Sequence, residues 1–371
     1  MTQADGTGGN GTGADGILPG QRARARGALD NATGRFEAQG LQGIDDGWDI
    51  PHDDRLLRTE VRIEVARSAI SYNSSPDLPF DRSINPYRGC EHGCIYCYAR
   101  PSHAYLNLSP GLDFETRLIA RPGIGAVLDR ELRAKSYAVA PVAIGTNTDP
   151  YQPVEAQHRV MREVLEVLSA HRHPVAITTK GTLVERDLDL LAPMAAQGLT
   201  RVGLSITTLD PDLSRRMEPR AAAPARRLAA IRRLTQAGVP VRVMVAPVIP
   251  GLTDHELEAI LAAAKDAGAV AASYISLRLP REVSGMFQDW LTAHVPGRAA
   301  KIMGRVRELH GGRDYDPAFG KRMRGQGIWA ELMAQRFAIA VARAGLVVPQ
   351  PPLRCDLFAP PLRAGDQLSL F

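Results

Sequence analysis

The chain has few cysteines, few lysines and no long apolar run. Four cysteines in 371 residues, three of them clustered, are not the pattern of a disulfide-stapled secreted domain. No stretch of about 20 apolar residues occurs, so no membrane span is predicted. The first residues also lack the basic and apolar regions of a secretory signal. We therefore expect a protein of the reducing cytoplasm that has no membrane partner.

Lysine is scarce, whereas arginine is abundant. Five of the 45 basic residues are lysines, which leaves 45 − 5 = 40 arginines at a formal net charge of +5. Arginine grips phosphate and carboxylate groups bidentately, so a DNA or RNA substrate is permitted. A GC-rich genome would enrich arginine without any such partner, and composition alone therefore identifies no ligand.

The composition changes along the chain and predicts four segments. Residues 1–48 contain GTGGNGTGADG and few apolar positions, which is typical of a disordered tail. Residues 49–280 carry alternating strand and helix patterns, and residues 281–346 read as a helical extension. Residues 347–371 form a Pro-rich tail.

The core segment repeats a strand-then-helix pattern. Segments with helical spacing, such as residues 154–171, lie between the apolar runs. Several of these segments end at a glycine that can cap a helix. Thr253 with Glu256 predicts a capping box at the start of a helix that ends at Gly268. Runs with β-strand character lie at 61–73, 81–89, 138–146, 174–179, 200–206, 239–249 and 271–279. Counting the strand before the cysteines gives six βα units, which predict an α/β fold with a partial (β/α)6 barrel of the TIM type.

Three cysteines lie within RGCEHGCIYCYAR, as Cys90-x3-Cys94-x2-Cys97. The loop follows the first predicted barrel strand, at the edge where such barrels carry their chemistry. A zinc site would need a fourth ligand, for which only His92 or the distant Cys355 is on offer. Three thiolates can instead hold three corners of an iron–sulfur cubane and leave the fourth iron open. The pattern favours a cluster over zinc or chance clustering.

The motifs together resemble the radical S-adenosylmethionine (radical SAM) superfamily, in the branch of spore photoproduct lyase and "DNA repair photolyase" proteins. The resemblance covers about residues 81–280, the predicted partial barrel. The segments that carry it are SINPYRGCEHGCIYCYARPSH (83–103), IGTNTDPYQPVE (144–155), ITTKGTLVERD (177–187), LSITTLD (204–210), EPRAAAPARRL (218–228) and APVIPGLTD (246–254).

The resemblance implies two cofactors. A [4Fe–4S] cluster would bind to Cys90, Cys94 and Cys97, and S-adenosylmethionine would chelate the open iron. One electron would then release methionine and a 5′-deoxyadenosyl radical that abstracts a substrate hydrogen, in nucleic-acid repair or modification. An electron donor such as flavodoxin or ferredoxin would be required. The implied cofactor-binding residues are Tyr96, Asn147, Lys180, Ser205 and Arg220.

One feature departs from spore photoproduct lyase. That enzyme returns a hydrogen atom to its product from a barrel cysteine, whereas this chain has no barrel cysteine outside the cluster loop. Cys355 would have to fold back to serve, and Tyr98 or Tyr151 is the alternative donor. The specific reversal of a thymine dimer is therefore not predicted.

The sequence ends in GDQLSLF. Gln367, Leu368, Ser369, Leu370 and Phe371 are similar to the pentapeptide with which bacterial repair proteins dock on the DNA sliding clamp. Leu370 and Phe371 would fill an apolar pocket, while Gln367 hydrogen-bonds at its rim. The alternative to an enzyme is a non-catalytic nucleic-acid or sliding-clamp adaptor whose cysteines bind a structural zinc ion.

Overall fold

The computed structural model describes residues 26–31, 34–36 and 57–363. Within these ranges, strands alternate with helices as the sequence predicts. The strands are β1 (Glu60–Ile63), β2 (Ile70–Tyr72), β3 (Arg82–Ile84), β4 (Tyr87–Arg88), β5 (Arg117–Ala120), β6 (Val142–Ile144), β7 (Val175–Thr179), β8 (Thr200–Ser205), β9 (Val241–Val248) and β10 (Ala271–Ser276).

Helices cover the sheet and extend beyond it. Short 3₁₀ segments lie at Arg100–Leu106, Thr182–Asp187, Asp254–Glu256 and Pro296–Arg298. The α-helices are α1 (Asp113–Thr116), α2 (Ile124–Leu132), α3 (Glu155–His158), α4 (Val160–Ala170), α5 (Leu188–Ala196), α6 (Pro211–Met217), α7 (Pro224–Gln236), α8 (Leu257–Asp266), α9 (Glu282–His294), α10 (Ala299–Leu309) and α11 (Ile328–Ala344). Neither α11, the longest, nor any other helix in the described ranges has the length and apolarity that a membrane crossing demands.

The main sheet has the order β2-β3-β6-β7-β8-β9-β10. Every neighbouring pair from β3 to β10 is parallel, and only β2 runs antiparallel. The six parallel strands and the helices that connect them confirm the predicted α/β fold. Because parallel strands share a direction, their carboxyl ends lie at one edge, where the connecting loops converge.

The hydrophobic core lies between the sheet and its helices. Alternation along β7 buries Val175 and Ile177, and the predicted face of α4 buries Val164 and Leu168. Three of the connecting helices, α5, α7 and α8, end at left-handed glycines, as at Gly268, where φ is +103°. Glycine reaches this conformation without a steric penalty, so the chain can turn back sharply into the next strand.

Two predicted strands and one predicted cap differ from the structure. The run 61–73 is split between β1, in a small sheet of order β1-β5-β4, and β2, in the main sheet. The run 81–89 is likewise split into β3 and β4. The capping box is wrong, because the Glu256 carboxylate accepts hydrogen bonds from the Thr208 hydroxyl and the Leu209 amide instead.

The predicted tails lie partly outside the described residues. Most of 1–48 and all of 364–371 fall outside them, the latter including the clamp-like pentapeptide. Of the described part of 1–48, Arg26 and Ala28 are buried. The segment 347–363 crosses the amino end of the barrel, where the Arg354 amide donates to the Gly198 carbonyl (3.0 Å) and the Ala359 amide to that of His171 (3.0 Å).

Candidate active site

The cysteine loop lies at the carboxyl end of the barrel, between β4 and the 3₁₀ segment Arg100–Leu106. Cys90 and Cys94 are buried, Cys97 is half-buried, and none of the three forms a disulfide. The Cys97 amide donates to the Cys94 carbonyl (3.1 Å), which closes a tight turn. Gly93 permits this path with φ +67°, where a side chain would meet the Glu115 carboxylate.

A buried ion pair supports the loop from below. Arg100 donates to the Cys94 carbonyl (3.0 Å) and pairs with Glu115 at 2.5 Å, and both side chains are fully buried. The Glu115 carboxylate also accepts the amides of Gly27 (2.9 Å) and Ala28 (2.8 Å). A buried pair that has all its hydrogen bonds holds its neighbours in one geometry. The described N-terminal segment is therefore fastened to the back of the cysteine loop.

His92 and Asp149 connect the cysteine loop to the ends of β6 and β7. His92 Nδ1 lies 3.3 Å from the Asp149 carboxylate. Asp149 also accepts hydrogen bonds from the Thr179 hydroxyl (2.6 Å) and the Lys180 amide (2.7 Å). Burial alone would raise the pKa of Asp149, but His92 and these hydrogen bonds lower that pKa to about 2. The ionised carboxylate thus fixes the backbone of Lys180.

A buried network lies behind Tyr96. The Tyr96 hydroxyl donates to Glu218, and Arg227 donates to the same carboxylate. The Thr207 hydroxyl adds a 2.8 Å hydrogen bond to Glu218. Burial alone would raise the pKa of Glu218, but the charges of Arg227 and Lys180 lower it to about 2. The network fixes the hydroxyl end of Tyr96.

The Lys180 ammonium lies 5.7 Å from the centroid of the Tyr96 ring. Burial disfavours its charged form, yet the neighbouring Cys94 and Glu218 raise the pKa of Lys180 overall. At neutral pH the ionised Glu218 is the neighbour that favours its ammonium form, because Cys94 is then an uncharged thiol. Burial raises the pKa of the Cys94 thiol to about 12 despite the opposing charge of Lys180. Metal ligation by this thiol would therefore release a proton.

These groups surround one open cavity of about 160 Å³. Its lining joins the three cysteines to residues at the carboxyl ends of five of the parallel strands, β6 to β10. The predicted residues in the lining are Cys90, Cys94, Cys97, Tyr96, Asn147, Lys180 and Ser205.

Some candidate residues lie elsewhere. Arg220 is not part of the lining, because its guanidinium pairs with the Glu91 carboxylate at 2.8 Å. Tyr98 lines the cavity, whereas the hydroxyl of the buried Tyr151 donates to Asp187 (3.1 Å) outside it. Cys355 lies in the segment that crosses the amino end of the barrel, opposite the cysteine loop.

Sequence reasoning missed the lining residues that come from β9, from β10 and from the turn after β10. They are Met244, Ala246, Pro247, Ile275, Ser276 and Arg278. Their signal was their position at the carboxyl ends of predicted strands, which is where a barrel places its site. The apolar members supply an apolar wall to the cavity.

Comparisons with known proteins agree with this architecture. A sequence model described as "Radical SAM superfamily" matches residues 84–264. An uncharacterised protein of Mycobacterium tuberculosis is 39% identical over 307 residues, which cover 81% of this chain and 86% of that protein. An uncharacterised protein of Methanocaldococcus jannaschii is 27% identical over 174 residues, which cover 47% of this chain and 62% of that protein.

Solved structures of spore photoproduct lyase share the fold. The complex with a dinucleoside spore photoproduct has a TM-score of 0.57 at 17% identity and covers 77% of this chain and 80% of that one. A cysteine-to-serine mutant of the same lyase has a TM-score of 0.57 at 16% identity and covers 85% of this chain and 88% of that one. At this identity the likeness extends to the fold alone.

Proposed function

The chain belongs to the radical SAM superfamily, and from that premise we propose that its cavity is the active site of a radical SAM enzyme that acts on nucleic acid. Membership supports an enzyme and implies a [4Fe–4S] cluster and S-adenosylmethionine. The observation that carries the proposal is the convergence of three free cysteines, a lysine cation and an apolar wall on one cavity. The non-catalytic zinc adaptor is set aside, because family membership supports an enzyme.

The residues present fit both cofactors. Cys90, Cys94 and Cys97 line the cavity together as free thiols, and three thiolates suffice for three irons of a cubane. S-adenosylmethionine is an amino-acid sulfonium that carries an adenosine group. The remaining lining offers a cation for its carboxylate, hydroxyl and amide groups for its polar atoms, and apolar surface for the rest of the molecule. When bound and reduced by one electron from an external donor, the two cofactors would supply a 5′-deoxyadenosyl radical for hydrogen abstraction, with methionine as the leaving group.

The chain's own residues bind and orient. Lys180 is held by the contacts of its backbone amide with Asp149, so its ammonium can neutralise a carboxylate at a fixed position. Tyr96, whose hydroxyl is held by Glu218, offers a ring for contact with adenine. Asn147 and Ser205 supply polar groups at the same edge. Met244 and Ile275 exclude water from the space where a radical must survive.

A nucleic-acid substrate is supported by two observations. Three of the arginines, Arg35, Arg278 and Arg281, lie at or beside the mouth of the cavity, where a polyanion would approach. A structural neighbour, spore photoproduct lyase, has been solved with a dinucleoside photoproduct. We do not assign the same lesion here, since none of the described cysteines outside the cluster loop lines the cavity.

Two partners complete the proposal. The enzyme requires an electron donor such as flavodoxin or ferredoxin, which a reducing cytoplasm provides. We also propose that Gln367–Phe371 dock on the DNA sliding clamp, although this pentapeptide lies outside the described residues.

The test is anaerobic reconstitution followed by reduction with dithionite and S-adenosylmethionine. We expect 5′-deoxyadenosine, formed faster when single-stranded or damaged DNA is added. Lys180→Met should reduce formation, whereas the exposed Lys265→Met on α8 serves as its matched control. A reconstituted, iron-loaded protein that yields no 5′-deoxyadenosine under any of these conditions would overturn the proposal.

A further inference from the structure

A second groove continues outward from the active-site cavity. It is lined by Arg35, Tyr105, Arg281 and neighbouring backbone, and it shares Tyr98, Asn147 and Arg278 with the cavity. We call it the mouth groove. Because the two share a wall, a chain-like ligand that occupies the mouth groove can insert one unit into the cavity.

Of the three arginines that line the mouth groove, two have no carboxylate partner among the described residues. Among the described residues, neither the Arg278 nor the Arg281 guanidinium has a hydrogen-bond or carboxylate partner, and the buried Nε of Arg278 is unsatisfied. Arg35 differs, since its Nε lies 3.3 Å from Glu282. An unpaired, partly desolvated guanidinium attracts an anion strongly. The mouth groove thus presents two cations with unused donors.

The Arg278 side chain is held in place before any ligand binds, and the backbone of Arg281 is constrained. The Arg278 guanidinium lies over the Tyr98 ring, 4.4 Å from its centroid. Arg281 adopts φ +55° just before α9, a conformation that non-glycine residues rarely accept and that tends to occur at binding sites. Preordered donors lose less entropy when they bind.

An exposed aromatic shelf lies beside these cations. Tyr105 is 68% exposed and Phe36 is 54% exposed, with ring centroids 5.4 Å apart. Arg35 lies against both rings, 5.3 Å from the Phe36 centroid and 5.4 Å from that of Tyr105. Large aromatic faces left in water next to fixed cations are the surfaces on which unpaired bases stack.

We infer that the mouth groove binds single-stranded nucleic acid, with a phosphodiester on Arg278 and Arg281 and an adjacent base on the shelf of Tyr105 and Phe36. This deepens the proposed function and rests on its nucleic-acid substrate. The neighbouring nucleotide would then enter the cavity, since an enzyme that reacts at a base must take that base out of the stack. An acidic peptide would use the cations but would leave the aromatic faces unexplained.

The test measures binding, without reductant, by the full-length cluster-loaded protein. The probe is a short fluorescein-labelled single-stranded oligodeoxynucleotide, followed by fluorescence anisotropy over a range of salt concentrations. For Arg278→Gln/Arg281→Gln we expect a salt slope that is shallower by about 0.7, because one phosphate contact on a single strand contributes about 0.7. For Tyr105→Ala we expect at least about fivefold weaker binding from lost stacking.

The matched control is Arg232→Gln, which removes an exposed arginine from α7, outside the groove. It should bind like the wild type. Visible absorption of the cluster reports whether each variant is folded, and Arg281→Gln alone provides an exposed single change if the double variant fails. Wild-type affinity and slope in the groove variants would overturn the inference, as would equal competition by polyglutamate.

The same preparation separates this inference from the proposed function. A wild type that holds iron and cleaves S-adenosylmethionine, combined with groove variants that bind normally, would refute the mouth groove alone. A wild type without iron or cleavage would refute the proposed function, whatever it binds.

Discussion

Replacing Glu218 by Gln tests whether the buried network behind Tyr96 holds the site together. Glu218 is fully buried and accepts hydrogen bonds from Tyr96, Thr207 and Arg227. The substitution keeps the shape of the side chain and removes its charge. Arg227, also buried, would then retain a positive charge without its counterion.

The expected cost follows from the pKa. Despite the opposing effect of burial, Arg227 and Lys180 lower the pKa of Glu218 from 4.5 to about 2, and at ~1.4 kcal/mol per pKa unit this corresponds to about 3 kcal/mol. Removing one partner of a buried ion pair costs about 3–5 kcal/mol, which agrees. Because the folded pKa is depressed, this stabilisation is complete above pH ~4.5 and is lost as the pH falls towards ~2.

The assay is urea unfolding followed by far-UV circular dichroism, with the cluster removed so that metal loss does not distort the transition. Glu258→Gln is the control, because Glu258 is 46% exposed in its pair with Arg336 and should cost under about 1 kcal/mol. The difference between wild type and Glu218→Gln should be about 3 kcal/mol near pH 7 and smaller near pH 3. A cost no larger than that of Glu258→Gln would refute the reasoning.

Three further predictions address the strand edge, the cofactor and the tail. Gly145→Ala should lower the melting temperature far more than Gly238→Ala. Both glycines have positive φ, but a Cβ at Gly145 would lie 1.8 Å from the Thr178 carbonyl oxygen, whereas a Cβ at Gly238 would meet no atom within 4 Å. Equal decreases in melting temperature would contradict this prediction. Lys180→Met should weaken S-adenosylmethionine binding about tenfold or more by calorimetry, since a hydrogen bond to a charged group contributes ~1.5–3 kcal/mol, and unchanged affinity would remove its proposed role. Deleting residues 367–371 should abolish sliding-clamp pull-down without bleaching the cluster, and retained binding would exclude the pentapeptide.

The sequence was sufficient to predict the barrel and the cysteine loop because both depend on local patterns. Apolar runs separated by helices, several of which end at glycines, identify six parallel strands. Cys90, Cys94 and Cys97 lie together in one short loop, so their spacing can be read directly from the sequence. Parallel topology then places Asn147, Lys180 and Ser205 at the same edge as the loop. Each of these conclusions needs only the order of elements along the chain.

The remainder depends on contacts between distant segments. The run 61–73 alternates throughout, and only pairing with β5 and β3 assigns its halves to different sheets. Arg26–Ala28 lie in a stretch with the composition of a tail, yet Glu115 supplies acceptors for the amides of Gly27 and Ala28. The sequence predicts Arg220 as a cofactor-binding residue, but its guanidinium pairs with Glu91 and does not line the cavity. Composition and periodicity contain no information about such partners.

The most direct measurement is the iron and acid-labile sulfide content of the anaerobically reconstituted protein, compared with a Cys90→Ala/Cys94→Ala/Cys97→Ala variant. We expect about four irons and four sulfides per wild-type chain and almost none in the variant. A wild type without iron and sulfide, or a variant that retains both in full, would contradict this expectation.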